Sequence, residues 1–276
     1  DSQKLEYWNG QIWMQIHTFS PNLDGGARGI ISGGASPGAS PYARTDTIQY
    51  ITIPTAGNAV DFGNLIAVKG YTAACASNTR GVISGGSPGA VDTIQYVTIA
   101  STGDSIDAAN LTNGRSSHAA FSNQTRGIVA AGGNDPSSLA TIDYVTISSL
   151  ADAQDFGDLS ETKGYVGSYA SSTRGLIAGG QTPTKVNTIE YVTIATTSNT
   201  TDFGDLTVGR RFLQGVGNST RGIFGSGEGS SGATNVIDYV TIATTGNAVD
   251  FGDDIKIRLE NSAACSSPTR GTWSGG

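Results

Sequence analysis

The feature that most constrains this chain is an internal repeat of about 48 residues, marked by a T-R-G-like triplet. The arginines of the triplets are Arg28, Arg80, Arg126, Arg174, Arg221 and Arg270. Each of the first five triplets is followed by an I-x-Y element, whose tyrosines are Tyr50, Tyr96, Tyr144, Tyr191 and Tyr239. A D-F-G element comes next, with phenylalanines at Phe62, Phe156, Phe203 and Phe251, while the second repeat has Ala108 there. Repeats of this length indicate a solenoid, a propeller or another array.

Each repeat contains four short segments with strand character, named a to d in chain order. Strand a precedes the triplet, strand b follows it and ends at a Gly pair, strand c holds the tyrosine and strand d the D-F-G element. The run from Ile189 to Ile194 alternates apolar and polar residues, which predicts a strand whose polar side chains face outward. No stretch shows a sustained helical period. Four strands in about 48 residues are typical of a propeller blade.

The order of these elements resembles the kelch repeat. Kelch blades carry a strand that ends in Gly-Gly, then a tyrosine-bearing strand, an aromatic-bearing strand and a basic residue before the next blade. All four appear in this order over nearly the whole chain, with Phe203 where kelch blades usually have tryptophan. The resemblance implies an all-β, kelch-like β-propeller.

The two ends of the chain predict the number of blades. Strand b occurs six times and the complete I-x-Y element five times, because the last repeat stops after strands a and b. The N-terminal residues read as a hairpin with Asn9-Gly10 at its turn, and Leu5-Glu6-Tyr7 matches strand c. The hairpin therefore supplies the two missing strands.

We predict a single domain, 1–276, that forms a six-bladed propeller. The closing hairpin at 1–17 supplies strands c and d, the repeats run through 18–258, and residues 259–276 supply strands a and b of the same blade. This closure leaves no open sheet edge.

The composition excludes some classes of partner. The formal net charge is −7 and only 14% of residues are charged, so the chain lacks the basic surface that nucleic-acid binding needs. No apolar stretch approaches the roughly 18 residues of a membrane-spanning helix, and we predict no membrane insertion. The chain opens at Asp1 without a charged-then-apolar leader, which indicates a processed or partial segment. Cys75 and Cys265 fall on innermost strands of blades that are not neighbours, so we expect two free thiols.

Residues that usually carry catalysis are sparse. The two histidines, His17 and His118, have no metal-binding spacing, and there is no C-x-x-C motif. A nucleophile elbow of the G-x-S-x-G type needs a helix after its strand, and no stretch has a helical period, so we expect no such elbow. Asp155 with Asp158 supplies only two carboxylates, whereas calcium needs about six to eight oxygens. A hydrolase that uses a pair of acids on a glycan is the least favoured alternative. We predict no enzyme, no catalytic residues, no metal and no cofactor.

The six repeated arginines occupy the a–b turns, one in each blade. The fold alone explains their spacing. We therefore expect them to make a structural contact with a neighbouring Asp or with turn carbonyls, rather than to form an anion-binding ring.

The topology separates two faces. The a–b and c–d turns share one face and are short and alike (the uniform face), whereas the b–c and d–a loops share the other and differ in every blade (the variable face). Variable loops on a rigid scaffold often carry binding residues. The candidate ligand- or partner-binding residues on the variable face are Tyr42, Arg44, Lys69, Tyr71, Arg115, Lys163, Tyr165, Arg210 and Phe212. Such aromatic and cationic groups suit a sugar or an acidic surface; the alternative is that the inner-strand aromatics plug one end of the core.

A second resemblance bears on function. The repeat text DYVTIATTGNAVDFGD resembles that of virion and tail-associated proteins of marine bacteriophages, and LEYWNGQIWMQI resembles hairpins of phage fibre proteins. This implies a virion location, at the tail or surface, and a structural or host-recognition role. The implied partners are other virion proteins or a host surface glycan or protein, in a homo-oligomer that belongs to a longer fibre. The alternative is a secreted or surface bacterial carbohydrate-binding propeller, a lectin or adhesin.

Overall fold

The structure is a computed structural model that describes residues 6–8, 13–15, 28–34, 43–55, 57–133, 138–258 and 263–275. Every regular element in these residues is a β-strand. At the N-terminus β1 (Glu6–Trp8) pairs antiparallel with β2 (Trp13–Gln15), with Trp8 opposite Trp13. The predicted hairpin is therefore present, while its Asn9-Gly10 turn lies outside the described residues.

Five larger sheets follow along the chain and form five blades. Blade 1 contains β3 (Arg28–Ser32), β4 (Thr45–Thr52) and β5 (Val60–Lys69). Blade 2 contains β6 (Ala73–Ala76), β7 (Arg80–Ser84), β8 (Thr93–Thr98) and β9 (Ile106–Asn110). Blade 3 contains β10 (Ala119–Ser122), β11 (Arg126–Ala130), β12 (Thr141–Thr146) and β13 (Gln154–Asp158). Blade 4 contains β14 (Gly167–Ala170), β15 (Arg174–Ala178), the small hairpin of β16 (Gln181–Thr182) and β17 (Thr184–Lys185), β18 (Thr188–Thr193) and β19 (Thr201–Asp205). Blade 5 contains β20 (Gln214–Gly217), β21 (Arg221–Gly225), β22 (Glu228–Gly229), β23 (Gly232–Thr241) and β24 (Val249–Arg258). A final hairpin consists of β25 (Ala263–Ser266) and β26 (Gly271–Ser274).

The strand order within the blades is the one that the repeat predicts. Apart from the short inserts β16, β17 and β22, the strands are antiparallel and hydrogen-bonded in chain order. Blades 2 to 5 contain strands a to d, and the described part of blade 1 contains b, c and d. The innermost strands contact one another from β6 through β10, β14 and β20 to β25, and β25 contacts β3 of blade 1. The fold is an all-β propeller.

The described residues form five blades rather than the predicted six. β25 pairs with β26, and β1 pairs with β2, as two separate two-stranded sheets. A complete blade needs a hydrogen-bonded ladder between strands b and c. No such ladder joins the two hairpins within the described part of the chain.

The D-F-G element explains how one blade packs on the next. Strands c and d shift register after the isoleucine of I-x-Y, so the phenylalanine bulges out of the ladder. Phe62, Phe156 and Phe203 are each 2% exposed. The glycine that follows has a positive φ, and a Cβ on Gly157 would lie 2.4 Å from the carbonyl oxygen of Ser198 in the next blade. The element therefore fits a site where two blades stack closely.

Strand c is more deeply buried than the alternating pattern predicts. In β18, Ile189, Glu190 and Val192 are all at most 3% exposed, so the polar Glu190 does not face outward. The cause is that blades stack face to face, and the apolar clusters lie between successive blades. A strand in such a stack is covered on both faces.

Candidate binding face

The repeated arginines lie on the uniform face and connect successive blades. Arg80 lies over the ring of Tyr96 in its own blade, 4.3 Å from the centroid. Its Nη1 donates to the carbonyl oxygen of Ile147 in the next blade at 2.7 Å. The same two contacts are made by Arg28 with Tyr50 and Ile99, by Arg126 with Tyr144 and Ile194, and by Arg174 with Tyr191 and Ile242. Of the two predicted kinds of structural partner, these arginines contact turn carbonyls.

Three cationic candidates of the variable face point inward. Arg115, Lys163 and Arg210 are fully buried. Each pairs with the middle residue of the I-x-Y element in the blade that follows it. The joined atoms are Arg115 Nη2 and Asp143 at 2.9 Å, Lys163 Nζ and Glu190 at 2.6 Å, and Arg210 Nη1 and Asp238 at 2.9 Å. Because a buried charge needs a buried partner, these cations balance the carboxylates of strand c and are not available at the surface.

The same carboxylates also accept hydrogen bonds from the preceding blade. Thr112 donates through Oγ1 to Asp143 at 2.7 Å, and Thr207 donates through Oγ1 to Asp238 at 2.6 Å. Each of these carboxylates therefore joins two blades as well as neutralising a cation.

Glu190 is held ionised by its surroundings. Burial by itself raises the pKa of Glu190. The charge of Lys163 and hydrogen bonds from Lys163, the Ser160 N–H and the Thr200 hydroxyl together lower it by more than burial raises it. The net pKa lies below the ordinary value, as expected for a carboxylate in a buried ion pair.

Blade 2 carries a neutral version of this arrangement. Gln95 replaces the carboxylate, and its Oε1 accepts from the Ser105 hydroxyl at 2.6 Å and from the Ile66 N–H at 3.1 Å. Lys69 occupies the repeat position of Arg115 and is 9% exposed. The fourth cationic candidate is therefore also largely buried.

The aromatic candidates begin the innermost strands with an unusual backbone. Tyr71, Ser117, Tyr165 and Phe212 have φ values of 57°, 55°, 59° and 61°, in the left-handed region that non-glycine residues seldom adopt. Their backbones form a ladder in which each N–H donates to the carbonyl of the equivalent residue one blade back: Ser117 to Tyr71, Tyr165 to Ser117 and Phe212 to Tyr165. All three aromatic residues are half-buried. The structure thus brings these candidates together at one end of the innermost strands.

A polar cluster joins blades 4 and 5 beside these rings. Arg211 lies over both Tyr165 and Phe212, 5.4 Å and 4.8 Å from their centroids. Its Nε donates to Glu228 at 2.7 Å and its Nη1 to Gln181 Oε1 at 2.6 Å. The other oxygen of Glu228 accepts from Lys185 Nζ at 2.7 Å.

Sequence reasoning did not select Glu228 or Gln181 as site residues. The signal that points to them is the double arginine at 210 and 211, which no other d–a loop has.

Arg44 lies at a different place on the variable face. Its Nη2 donates to the Ser87 hydroxyl at 3.0 Å, so it links the b–c loops of blades 1 and 2. Tyr42, the remaining candidate, lies outside the described residues.

An open cleft of about 550 Å³ lies between the loops of blades 4 and 5. Its lining includes Gln181, Pro183, Lys185, Asn187, Val208 and Ser230. The cleft therefore adjoins the polar cluster of Arg211, Glu228, Lys185 and Gln181, and Lys185 and Gln181 line it. Volumes of this size hold small ligands in many proteins.

One buried serine–histidine pair lies away from this cleft. The Ser84 hydroxyl is 3.0 Å from His118 Nε2, and both residues are buried. Burial first, and then the charge of Arg115, lower the pKa of His118 to about 3, against a weak opposing effect of Ser84. This histidine is therefore neutral at physiological pH, and it is only 6% exposed.

Both cysteines are free thiols, as predicted. Cys75 is buried against Gly127 of the next blade, and Cys265 packs against Gly29 of blade 1. Within the described ranges, no group of three or more His, Cys, Asp or Glu side chains is positioned to bind a metal ion. Nor do those ranges contain a helix that could cross a membrane.

No protein-family model matches this chain, and no curated protein matches it in sequence.

Proposed function

We propose that this chain is a non-enzymatic recognition module of a virus particle, at its tail or surface, that presents its variable face to a host surface glycan or protein. The observation that carries this proposal is the polar cluster of Arg211, Glu228, Lys185 and Gln181 on that face. It occurs at one blade junction only among the described ones. The repeat does not require it. Side chains that a scaffold does not need are the ones free to serve recognition.

The uniform face supports the same reading by contrast. There, four arginines each donate a hydrogen bond to the carbonyl of the equivalent isoleucine in the next blade: Arg28, Arg80, Arg126 and Arg174. Because the same contact recurs in each of these blades, the uniform face offers a partner few features that distinguish one blade from another. The virion assignment itself rests on the resemblance of the repeat text to phage tail proteins, as does the expectation of a homo-oligomer within a longer fibre.

We also propose that the propeller has six kelch-like blades, the sixth made of β25 and β26 with β1 and β2. The contacts of the final hairpin support this: β25 packs between β20 and β3, and Arg270 donates to the Ile53 carbonyl of blade 1. A hairpin between blades 5 and 1 lies where we expect the two inner strands of a sixth blade.

Blade 5 offers the complementary surface. Phe251 is 54% exposed and Val249 53%, whereas Phe62, Phe156 and Phe203 are 2% exposed. A Cβ on Gly252 would meet nothing within 4 Å, whereas the equivalent Gly204 lies against the next blade. Blade 5 thus carries the stacking element of the other blades, with room for the two outer strands that the hairpin β1–β2 would supply.

The location is tested by fractionating a culture that carries the gene into cells, medium and density-purified particles, and probing each with an antibody to the chain. We expect the signal in the particles. A signal confined to the medium or the cell surface would instead indicate the secreted adhesin. The binding role is tested separately, by adsorption of the purified chain to host cells.

A further inference from the structure

The side chain at position 211 is not required by the fold. The same repeat position holds Gly70, Ser116 and Gly164 in the preceding junctions. The backbone makes the same antiparallel bridge with glycine as with arginine, since Gly70 pairs with Ser87, Gly164 with Gln181 and Arg211 with Glu228. The preceding Arg210 already provides the buried cation of blade 5. Arg211 therefore adds a guanidinium at a position where the scaffold does not need a side chain.

The cluster that Arg211 completes has an excess of one positive charge. Glu228 accepts from Lys185 on one oxygen and from Arg211 on the other, at 2.7 Å each. A hydrogen bond from Lys185, and to a smaller extent one from Arg211, keeps the pKa of Glu228 below its ordinary value against the opposing effect of burial. Two cations thus face one ionised carboxylate. The side chains of Lys185, Arg211 and Glu228 are 21%, 24% and 18% exposed, so solvent and a ligand can reach them.

The adjoining cleft has the chemistry of a saccharide site. Lys185 lines it and brings a positive charge to its wall. Its Nζ donates to Glu228 and to the Gly229 carbonyl, which leaves one of its three N–H groups for a ligand. The Asn187 amide and the Ser230 hydroxyl can exchange hydrogen bonds with sugar hydroxyls, while the Gln181 amide accepts from Arg211 and donates to the Pro183 carbonyl. Pro183 and Val208 provide apolar surface for the C–H faces of a ring. Val208 is 37% exposed, so a ligand in the cleft can reach its methyl groups.

We infer that the cleft between blades 4 and 5 binds a short oligosaccharide that carries a carboxylate, with Lys185 contacting the carboxylate and the Asn187 amide and Ser230 hydroxyl contacting ring hydroxyls. This inference rests on the proposed function, because it names the ligand class of the variable face. Arg211 acts as a positioning residue: it occupies one oxygen of Glu228 and orients Gln181, so that the charge of Lys185 is not fully cancelled.

The test is a glycan array that presents matched neutral and uronic-acid oligosaccharides of equal length to the whole chain, followed by calorimetric titration of the strongest binder. We expect the uronic-acid member to bind and its affinity to fall as salt rises. Lys185→Met should weaken binding on the order of tenfold, because it removes a charge-assisted contact. Arg44→Met tests the other accessible cation of the variable face. The matched control is Arg221→Met, which removes an exposed cation from the uniform face and should leave the affinity unchanged.

Arg211→Lys keeps the charge but not the fork, and Arg211→Met removes both. If Arg211 positions its neighbours, both variants should weaken binding while the melting temperature stays near that of the parent chain. Asn187→Ala provides a further variant that leaves every ion pair intact and should also weaken binding.

Three results would overturn the inference: no acidic glycan bound, equal binding of the neutral counterpart, or loss of binding in Arg44→Met but not in Lys185→Met. The last would leave the proposed function in place, with a different site on the same face. Absence of the chain from particles, with glycan binding intact, would overturn the virion assignment and not this site.

Discussion

The side chain of Arg270 donates from Nη1 to the carbonyl oxygen of Ile53, 2.9 Å away and 217 positions earlier in the chain. The corresponding bond of Arg80 reaches Ile147 in the next blade, 67 positions later. The two bonds join equivalent positions of the repeat. The final hairpin is therefore placed against blade 1 as each earlier blade is placed against its successor.

Phe251→Ala tests the sixth blade without deleting any part of the chain. If the hairpin β1–β2 covers blade 5, the cost should approach that of Phe203→Ala, about 3–5 kcal/mol, because both rings would be fully buried. Phe203→Ala is the control, since that ring is 2% exposed. Denaturant unfolding measures both. A cost near zero for Phe251→Ala beside a large one for Phe203→Ala would contradict the closure.

Removing residues 1–16 tests the same closure from the other side. We expect a lower melting temperature and new binding of a dye that reports apolar surface, because Val249 and Phe251 would lose their cover. Adding the hairpin back as a synthetic peptide should restore part of the stability. A truncated chain that is monomeric and as stable as the parent would show that the hairpin is not part of the ring.

Arg210→Met should destabilise the chain by about 3–5 kcal/mol, because Asp238 would be left as a buried charge without its cation. Lys69→Met is the matched control. Its partner position holds the neutral Gln95, so the cost should be much smaller. Pairing Arg210→Met with Asp238→Asn should recover part of the loss. Equal costs for the two single variants, measured by chemical unfolding, would contradict the pairing.

His118 should make the chain less stable in mild acid. Its pKa is about 3 in the folded state against 6.5 when exposed, so below about pH 6.5 only the unfolded chain takes up the proton. The free energy of unfolding should therefore fall by up to about 1.4 kcal/mol per pH unit from this group as the pH drops below 6.5.

The control for this effect copies another junction of the same protein. Ala178 and Leu213 stand at the repeat positions of Ser84 and His118, and both belong to one buried apolar cluster. The double variant Ser84→Ala/His118→Leu should therefore fold and lose this part of the acid sensitivity between pH 5 and 6.5. An unchanged slope in that window would rule out His118 as its source.

Cys75 should resist alkylation until the chain unfolds. Burial raises its pKa to about 12, against a small opposing effect of a hydrogen bond with Ser122. The pKa of Cys265 is raised by burial as well, but this residue is less deeply buried, so it should react first. Labelling at pH 8 followed by mass spectrometry should give one modified thiol at early times and two after denaturation. Rapid modification of Cys75 in the native chain would contradict its burial.

The repeat is sufficient to predict the main strands and their order, and it limits the arginines to structural contacts with a neighbouring Asp or with turn carbonyls. These properties follow from local patterns that recur in each blade, such as the glycine that must follow Phe156. The pattern could not reveal which polar residues are buried. Glu190 looks like an outward-facing residue of an alternating strand until a second blade covers that face.

Arg210 and Arg211 illustrate the same limit at the candidate site. They are adjacent in sequence and alike in chemistry, yet Arg210 is fully buried with Asp238 while Arg211 lies over two aromatic rings near the surface. Their difference is set by which one aligns with the middle residue of I-x-Y in the next blade. That alignment depends on the stacking of blades, which a single sequence does not specify.

The arginine contacts also bear on how such a chain can grow. Blades 1 to 4 each carry the guanidinium for their successor, and blades 2 to 5 each carry the accepting carbonyl for their predecessor, as Arg126 and Ile147 do in blade 3. A duplicated segment of one repeat length would therefore arrive with both halves of its interface already matched. Mutations in its b–c loop would disturb neither the arginine nor the accepting carbonyl, because both lie on the uniform face. Gene duplication can thus add a blade with a new loop surface to this propeller without requiring new contacts between blades.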